Sequence, residues 1–228
     1  MADGKTVKEM ITEEKLKWKD MDKKQRLKYF KDYYLVKCIV GLIALAMVVS
    51  IFCETVLFHK DPIYTGYEVN VYASDEGMQF LTEDYLEYLG GNEAHQEVVL
   101  AECYIDFYAE EQVMDSNTDQ MVLYAQAAAG EYDYLLMNEE ALIAAKDMDI
   151  YADLEANLSE HWLEVLDGRM ISLEIGGFTY PVAIDLTNTE FARKCGYDEE
   201  DIYLAFNCID IDAEAANQFL DYILADSF

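Results

Sequence analysis

The side chains that could do chemistry in this 228-residue chain are few, and their spacing pairs none of them. Its three histidines, His59, His95 and His161, stand apart from any serine or cysteine they could activate, and the GxSxG turn of a nucleophile elbow is absent. Each reads as a surface or capping histidine. Carboxylates are so abundant that two of them falling close together says nothing about paired acid catalysis. Gly90-Gly91 and Gly176-Gly177 lack the frames of phosphate-binding loops and follow the wrong kinds of element. The run Asp210-Ile211-Asp212-Ala213-Glu214 lacks the turn glycine and ligand spacing of a calcium loop, and reads as acids gathered at a helix start. The five cysteines show no CxxC pair and no regular framework, and Cys103 and Cys208 fall in apolar runs as small buried hydrophobes. The expectation is binding without catalysis, with no metal and no cofactor.

Binding groups are located only through the elements that carry them. Hydrophobic periodicity predicts strands at 68–72, 98–105, 132–137, 170–175, 178–184 and 202–209. Helices are predicted at 76–89, from Thr118 to the stop at Gly130, from Asn138 onward, at 160–166 and at 213–224. Strand and helix alternating with short connections predict an α/β fold, a mostly parallel sheet flanked by helices. In such a sheet ligands sit beyond the carboxyl ends of the strands, where strand order reverses. An order of 2-1-3 puts that point between the first and third strands. It nominates Ser74 and Asp75 after the first and Asn138 and Glu139 after the third. Asp185 and Thr187, after the 178–184 strand, join them. The competing reading of all six is that they cap helices and close turns.

The chain ahead of this sheet has a different solvent in view. Cys38 to Phe58 is 21 residues with one charge, Glu54. As a helix it spans about 31 Å, enough for a bilayer core. Residues 19–37 carry seven basic side chains, and the first twenty residues beyond the span carry one, Lys60. That bias places the N-terminus in the cytoplasm and the C-terminal part outside. The apolar run is preceded by too long a charged region for a cleaved signal peptide, so it reads as an uncleaved, single-pass anchor in the cell membrane. The predicted organisation is a cytoplasmic basic juxtamembrane helix at 1–34, a transmembrane helix at 35–58, a linker at 59–66 and an extracytoplasmic domain at 67–228. Residues 59–228 hold five basic and 38 acidic side chains, a net charge of −33. Such a domain repels nucleic acid.

Several short runs bear a likeness to a known family. Ala127-Ala128-Ala129-Gly130-Glu131-Tyr132-Asp133, then an apolar strand and a helix leading to Ala152-Asp153-Leu154, resembles bacterial extracellular solute-binding proteins of the type 2 periplasmic-binding-protein kind. Gly177-Phe178-Thr179-Tyr180-Pro181-Val182 and Gln218-Phe219-Leu220-Asp221-Tyr222-Ile223-Leu224 are similar to further stretches of that family. The basic run into Asp32-Tyr33-Tyr34 before the span is similar to anchored envelope proteins of Gram-positive anaerobes. The resemblance implies one lobe of such a protein, since the family folds two lobes in a chain about twice the length of this outer domain. It implies a small solute, or an envelope or transporter protein, as partner beside the lipid bilayer. The alternative is a structural, assembly or signalling membrane protein whose outer domain no longer binds solute.

Overall fold

The structure, a computed structural model, describes residues 12–13, 15–16, 18–19, 21–53, 59–106, 114–197, 201–209 and 211–225. Chain contacts divide it into two units, Met1–His59 and Lys60–Phe228.

In the first unit Asp22 starts helix α1 (Lys23–Tyr33) with a reciprocal cap. Its carboxylate accepts from the Lys24 and Gln25 amides, while the Gln25 side chain accepts from the Asp22 N–H. After Tyr34 comes α2 (Leu35–Phe52), apolar on every side beyond Lys37 in its first turn and with none of its 18 residues buried. At about 27 Å it is long and apolar enough to cross a membrane. Glu54 and Phe58, at the far end of the predicted span, lie outside the described residues.

The second unit is an α/β fold around six strands. In chain order they are β1 (Asp61–Val69), β2 (Gln96–Cys103), β3 (Tyr134–Met137), β4 (Met170–Ile175), β5 (Phe178–Asp185) and β6 (Tyr203–Phe206). Between β1 and β2, α3 (Asp75–Gln79) passes through a π-helical stretch at Phe80–Asp84 into α4 (Tyr85–Tyr88). Then come α5 (Met114–Ala129), α6 (Glu139–Ala144), α7 (Leu154–Asn157), α8 (Glu160–Val165), α9 (Glu190–Cys195) and α10 (Ala213–Ile223). The first strand begins at Asp61, so residues 61–66 are sheet rather than linker, and it ends at Val69 because Asn70 turns left-handed (φ 58°).

The strand order is β2-β1-β3-β6-β5-β4. The 2-1-3 order at one side matches the sequence expectation, but the sheet is mixed and not mostly parallel. β1 pairs in parallel with β2 and β3, whereas β3–β6, β6–β5 and β5–β4 are antiparallel. Two local causes account for this. Gly176 and Gly177, both at positive φ, close a hairpin too tight for any parallel return between β4 and β5. After β5 the short α9 brings the chain back to where it left, with Leu186 N–H donating to Ile202 O and Ile202 N–H to the Thr187 hydroxyl. Tyr203 therefore enters beside Asp185 and β6 runs backward through the sheet.

Both sheet faces are covered, which is why all four residues of β3 are buried. Tyr64, Tyr134, Leu136, Leu204 and Phe206 face a core closed by Phe80, Leu81, Tyr85 and the Phe219, Leu220, Ile223 stripe of α10. Tyr67, Val69, Leu135, Met137 and Ala205 face a second core under Leu123, Ala127, Ala141 and Leu142. Cys103 and Cys195 are buried, but Cys208 is exposed, its thiol donating to Asp149 O. It lies past the end of β6, where the ladder has already closed with a single Tyr151–Asn207 bridge.

Candidate functional site

The carboxyl edge of the parallel strands gathers four chain segments. Asn70, just past β1, holds both backbone groups of Ile105: its side-chain amide donates to the carbonyl and its side-chain oxygen accepts from the N–H, each at 2.7 Å. This ties the ends of β1 and β2 together. The Asn138 amide reaches the Asn70 carbonyl at 3.5 Å, joining the end of β3 to the same point. Beyond it, Tyr203 stands in the ladder between Met137 and Asp185. Its hydroxyl is pushed above the usual tyrosine range by burial, and further by the negative charges of Asp185, Glu139 and Asp201.

The six predicted residues divide accordingly. Glu139 and Asp185 lie near enough to Tyr203 for their charges to act on it, with Asn138 next to Glu139 in the chain and Thr187 two residues past Asp185. Ser74 and Asp75 start α3, where the Ser74 N–H donates to Cys195 O. Most of these side chains are occupied with backbone. Ser74 Oγ accepts from Gly77 N–H at 3.1 Å, Asn138 Oδ1 from Ala141 N–H at 2.9 Å, and Asp185 Oδ1 from Thr187 N–H at 2.9 Å. The Thr187 hydroxyl takes the Ile202 N–H. Asp75 and Glu139 are exposed and sit in the first turns of their helices, where a carboxylate is favoured by the helix dipole. The larger described grooves lie elsewhere. One of about 580 Å³ is lined by residues including Lys60, Glu83 and Glu97. Another of about 480 Å³ is lined by residues including Phe80, Tyr88, Lys194 and Tyr222.

Beneath the edge lies a buried acid that the sequence reading passed over as one residue of a strand. Glu68 is fully buried in β1. Its Oε1 accepts from the Ala73 N–H and from the Tyr197 hydroxyl, while Oε2 is buried without a hydrogen-bond partner. Burial pushes its carboxyl up to about 7; the bonds from Tyr197 and Ala73 oppose this, and the charge of Glu102 adds to it. The arrangement fastens the loop between β1 and α3 to the segment after α9. The sequence signal was present in the alternation Tyr64, Gly66, Glu68, which puts this acid on a core-facing side of a strand covered on both faces. Asn70 was equally legible as a poor strand residue that tolerates the left-handed turn.

Among the described residues no group of three or more His, Cys, Asp and Glu is placed to hold a metal ion. His95 and His161 are both exposed, the latter against the Trp162 ring. Asp212 accepts from the Glu214 and Ala215 amides at the start of α10, while Asp210 lies outside the described residues. The edge is thus rich in carbonyl and carboxylate acceptors, in an α/β unit that follows a candidate membrane-spanning helix. Comparison with protein-family models, curated proteins and solved structures found no match.

Proposed function

We propose that this chain is a single-pass membrane protein, N-terminus in the cytoplasm, whose acidic α/β unit works outside the membrane by binding. The observation that carries this reading is α2, apolar beyond Lys37 and unburied over its whole length, ahead of a unit with its own two-sided core. The basic flank supports the orientation. The resemblance to one lobe of a solute-binding protein supports a small solute, or an envelope or transporter protein, as the partner. For a solute, the position is the edge around Asn138, Glu139, Asp185 and Tyr203, whose acceptors suit a ligand bearing hydroxyl or ammonium groups.

One observation favours a second reading, an assembly or structural role. Ser74, Asn138, Asp185 and Thr187 already spend hydrogen-bonding groups on capping and turn closure. The two readings separate in a paired experiment. Residues 60–228 are screened for thermal shifts with sugars, amino acids, peptides and divalent cations, and the full chain is purified in mild detergent with whatever accompanies it. A shift lost in Glu139→Gln or Tyr203→Phe supports solute binding. No shift, with a stoichiometric protein partner, overturns it in favour of assembly.

A further inference from the structure

The segment ahead of the apolar helix carries an interaction surface of its own. Residues 19–37 hold Lys19, Lys23, Lys24, Arg26, Lys28, Lys31 and Lys37 against Asp20, Asp22 and Asp32. Among the described residues of α1, Lys23, Lys24, Lys28 and Lys31 are exposed. The reciprocal cap at Asp22 fixes where this helix begins. At its other end the ladder is not broken: Tyr34 N–H still donates to Phe30 O, and Cys38 N–H donates to Tyr34 O, both at 2.8 Å. One turn residue therefore separates the basic helix from the apolar one.

That continuity sets distances. At about 1.5 Å per residue, Lys31 and Lys28 stand about 6 and 10 Å along the chain axis from Leu35, and Lys24 about 16 Å. The first two fall within about one Debye length of a surface at the end of α2. At the junction Tyr29, Tyr33, Phe30 and Tyr34 form an aromatic cluster, with Tyr29 and Tyr33 ring centres 4.8 Å apart and Phe30 stacked on Tyr34 at 6.3 Å. Lys37 lies over the Tyr34 ring, 5.7 Å from its centre. Aromatic side chains of this kind mark the headgroup level of a bilayer. Lys24, Lys28 and Lys31 recur at i, i+4 and i+7 and so share one face of α1, with Lys23 and Arg26 turned to the neighbouring side.

We infer that α1 and its junction bind the headgroups of anionic lipids, concentrating them around the anchor. This rests on the membrane-anchor reading of α2. The occupant is a lipid surface because the cations are held within reach of the headgroup layer by the helix that enters it, and because juxtamembrane lysines each add to the attraction of an acidic leaflet.

The test uses the full chain reconstituted in phosphatidylcholine vesicles, with spin-labelled phosphatidylglycerol or spin-labelled phosphatidylcholine as the probe. Electron paramagnetic resonance reads the fraction of each probe slowed at the protein surface. The expected result is a several-fold preference for the phosphatidylglycerol probe that falls toward one at high salt and in a Lys24→Gln, Lys28→Gln, Lys31→Gln variant. Glutamine keeps the helix propensity of lysine, so the variant removes charge alone. Equal slowing of both probes by the wild type, or a preference that survives the triple substitution, overturns the inference while leaving the anchor in place. No slowed fraction for either probe overturns the anchor and the inference together.

Discussion

Glu68→Gln tests the buried acid through the pH dependence of stability. The folded chain holds this carboxyl at about 7 against an ordinary 4.5, so the folded state keeps its proton through a range where the unfolded chain has lost it. The contribution to stability is therefore full below pH 4.5 and is lost as pH rises through 7. A gap of about 2.5 pH units at about 1.4 kcal/mol each amounts to about 3.5 kcal/mol, of which about 2.5 kcal/mol falls between pH 5 and pH 8. The neighbouring groups do not blur the window. Burial drives the Tyr197 and Tyr134 hydroxyls and the Cys195 thiol upward, so all three stay neutral throughout. Glutamine preserves an acceptor for Ala73 N–H and Tyr197 and never ionises. Urea unfolding of residues 60–228 is measured for both proteins at several pH values from 5 to 8. The mutant should gain about 2.5 kcal/mol on the wild type across that range. A stability difference that stays constant, or moves the other way, would refute the claim that the fold holds Glu68 protonated.

Three further substitutions probe the packing and the edge. Gly66→Ala drives a methyl group into the Tyr134 ring, and should cost about 1–3 kcal/mol by urea unfolding; Tyr134→Leu in the same chain should recover part of it. Asn207→Ala removes the buried amide that donates to Tyr132 O (3.1 Å) and Ala127 O (3.4 Å), leaving those carbonyls short of a donor, and should lower stability by about 1–3 kcal/mol in the same assay. Asn138→Ala removes the cap of α6 and its link to Asn70, for a loss of about 1 kcal/mol; a wild-type midpoint would show that the cap is idle.

Much of the architecture was legible because it rests on local rules. The apolar α2, the glycine hairpin between β4 and β5, and the caps at Ser74, Asn138 and Asp212 follow from residue types and spacing alone. The run from Ala127 to Asp133 lies at the opposite edge of the sheet from the candidate site. Gly130 stops α5 at φ 67°, and the Asp133 carboxylate accepts from the Thr65 N–H at 2.6 Å. Its carboxyl is raised by burial against that bond.

The sequence by itself determined two chemical worlds in one chain: a basic flank with an apolar helix, and a strongly acidic α/β unit without an evident nucleophile. Periodicity located β2 to β6 to within a few residues but placed β1 seven residues late, and it left the direction of β6 open, because direction depends on where the chain re-enters the sheet. That was decided by the contacts of Leu186 and Thr187 with Ile202, 15–16 residues apart in sequence. The same return placed Tyr203 between Met137 and Asp185 and so completed the edge. It also carried Tyr197 onto Glu68, 129 residues away, turning one acid among 46 into a buried group with a shifted affinity for its proton. The alternation in β1 turns Glu68 toward a core, but the second cover over the sheet and the Tyr197 partner are properties of the assembled fold.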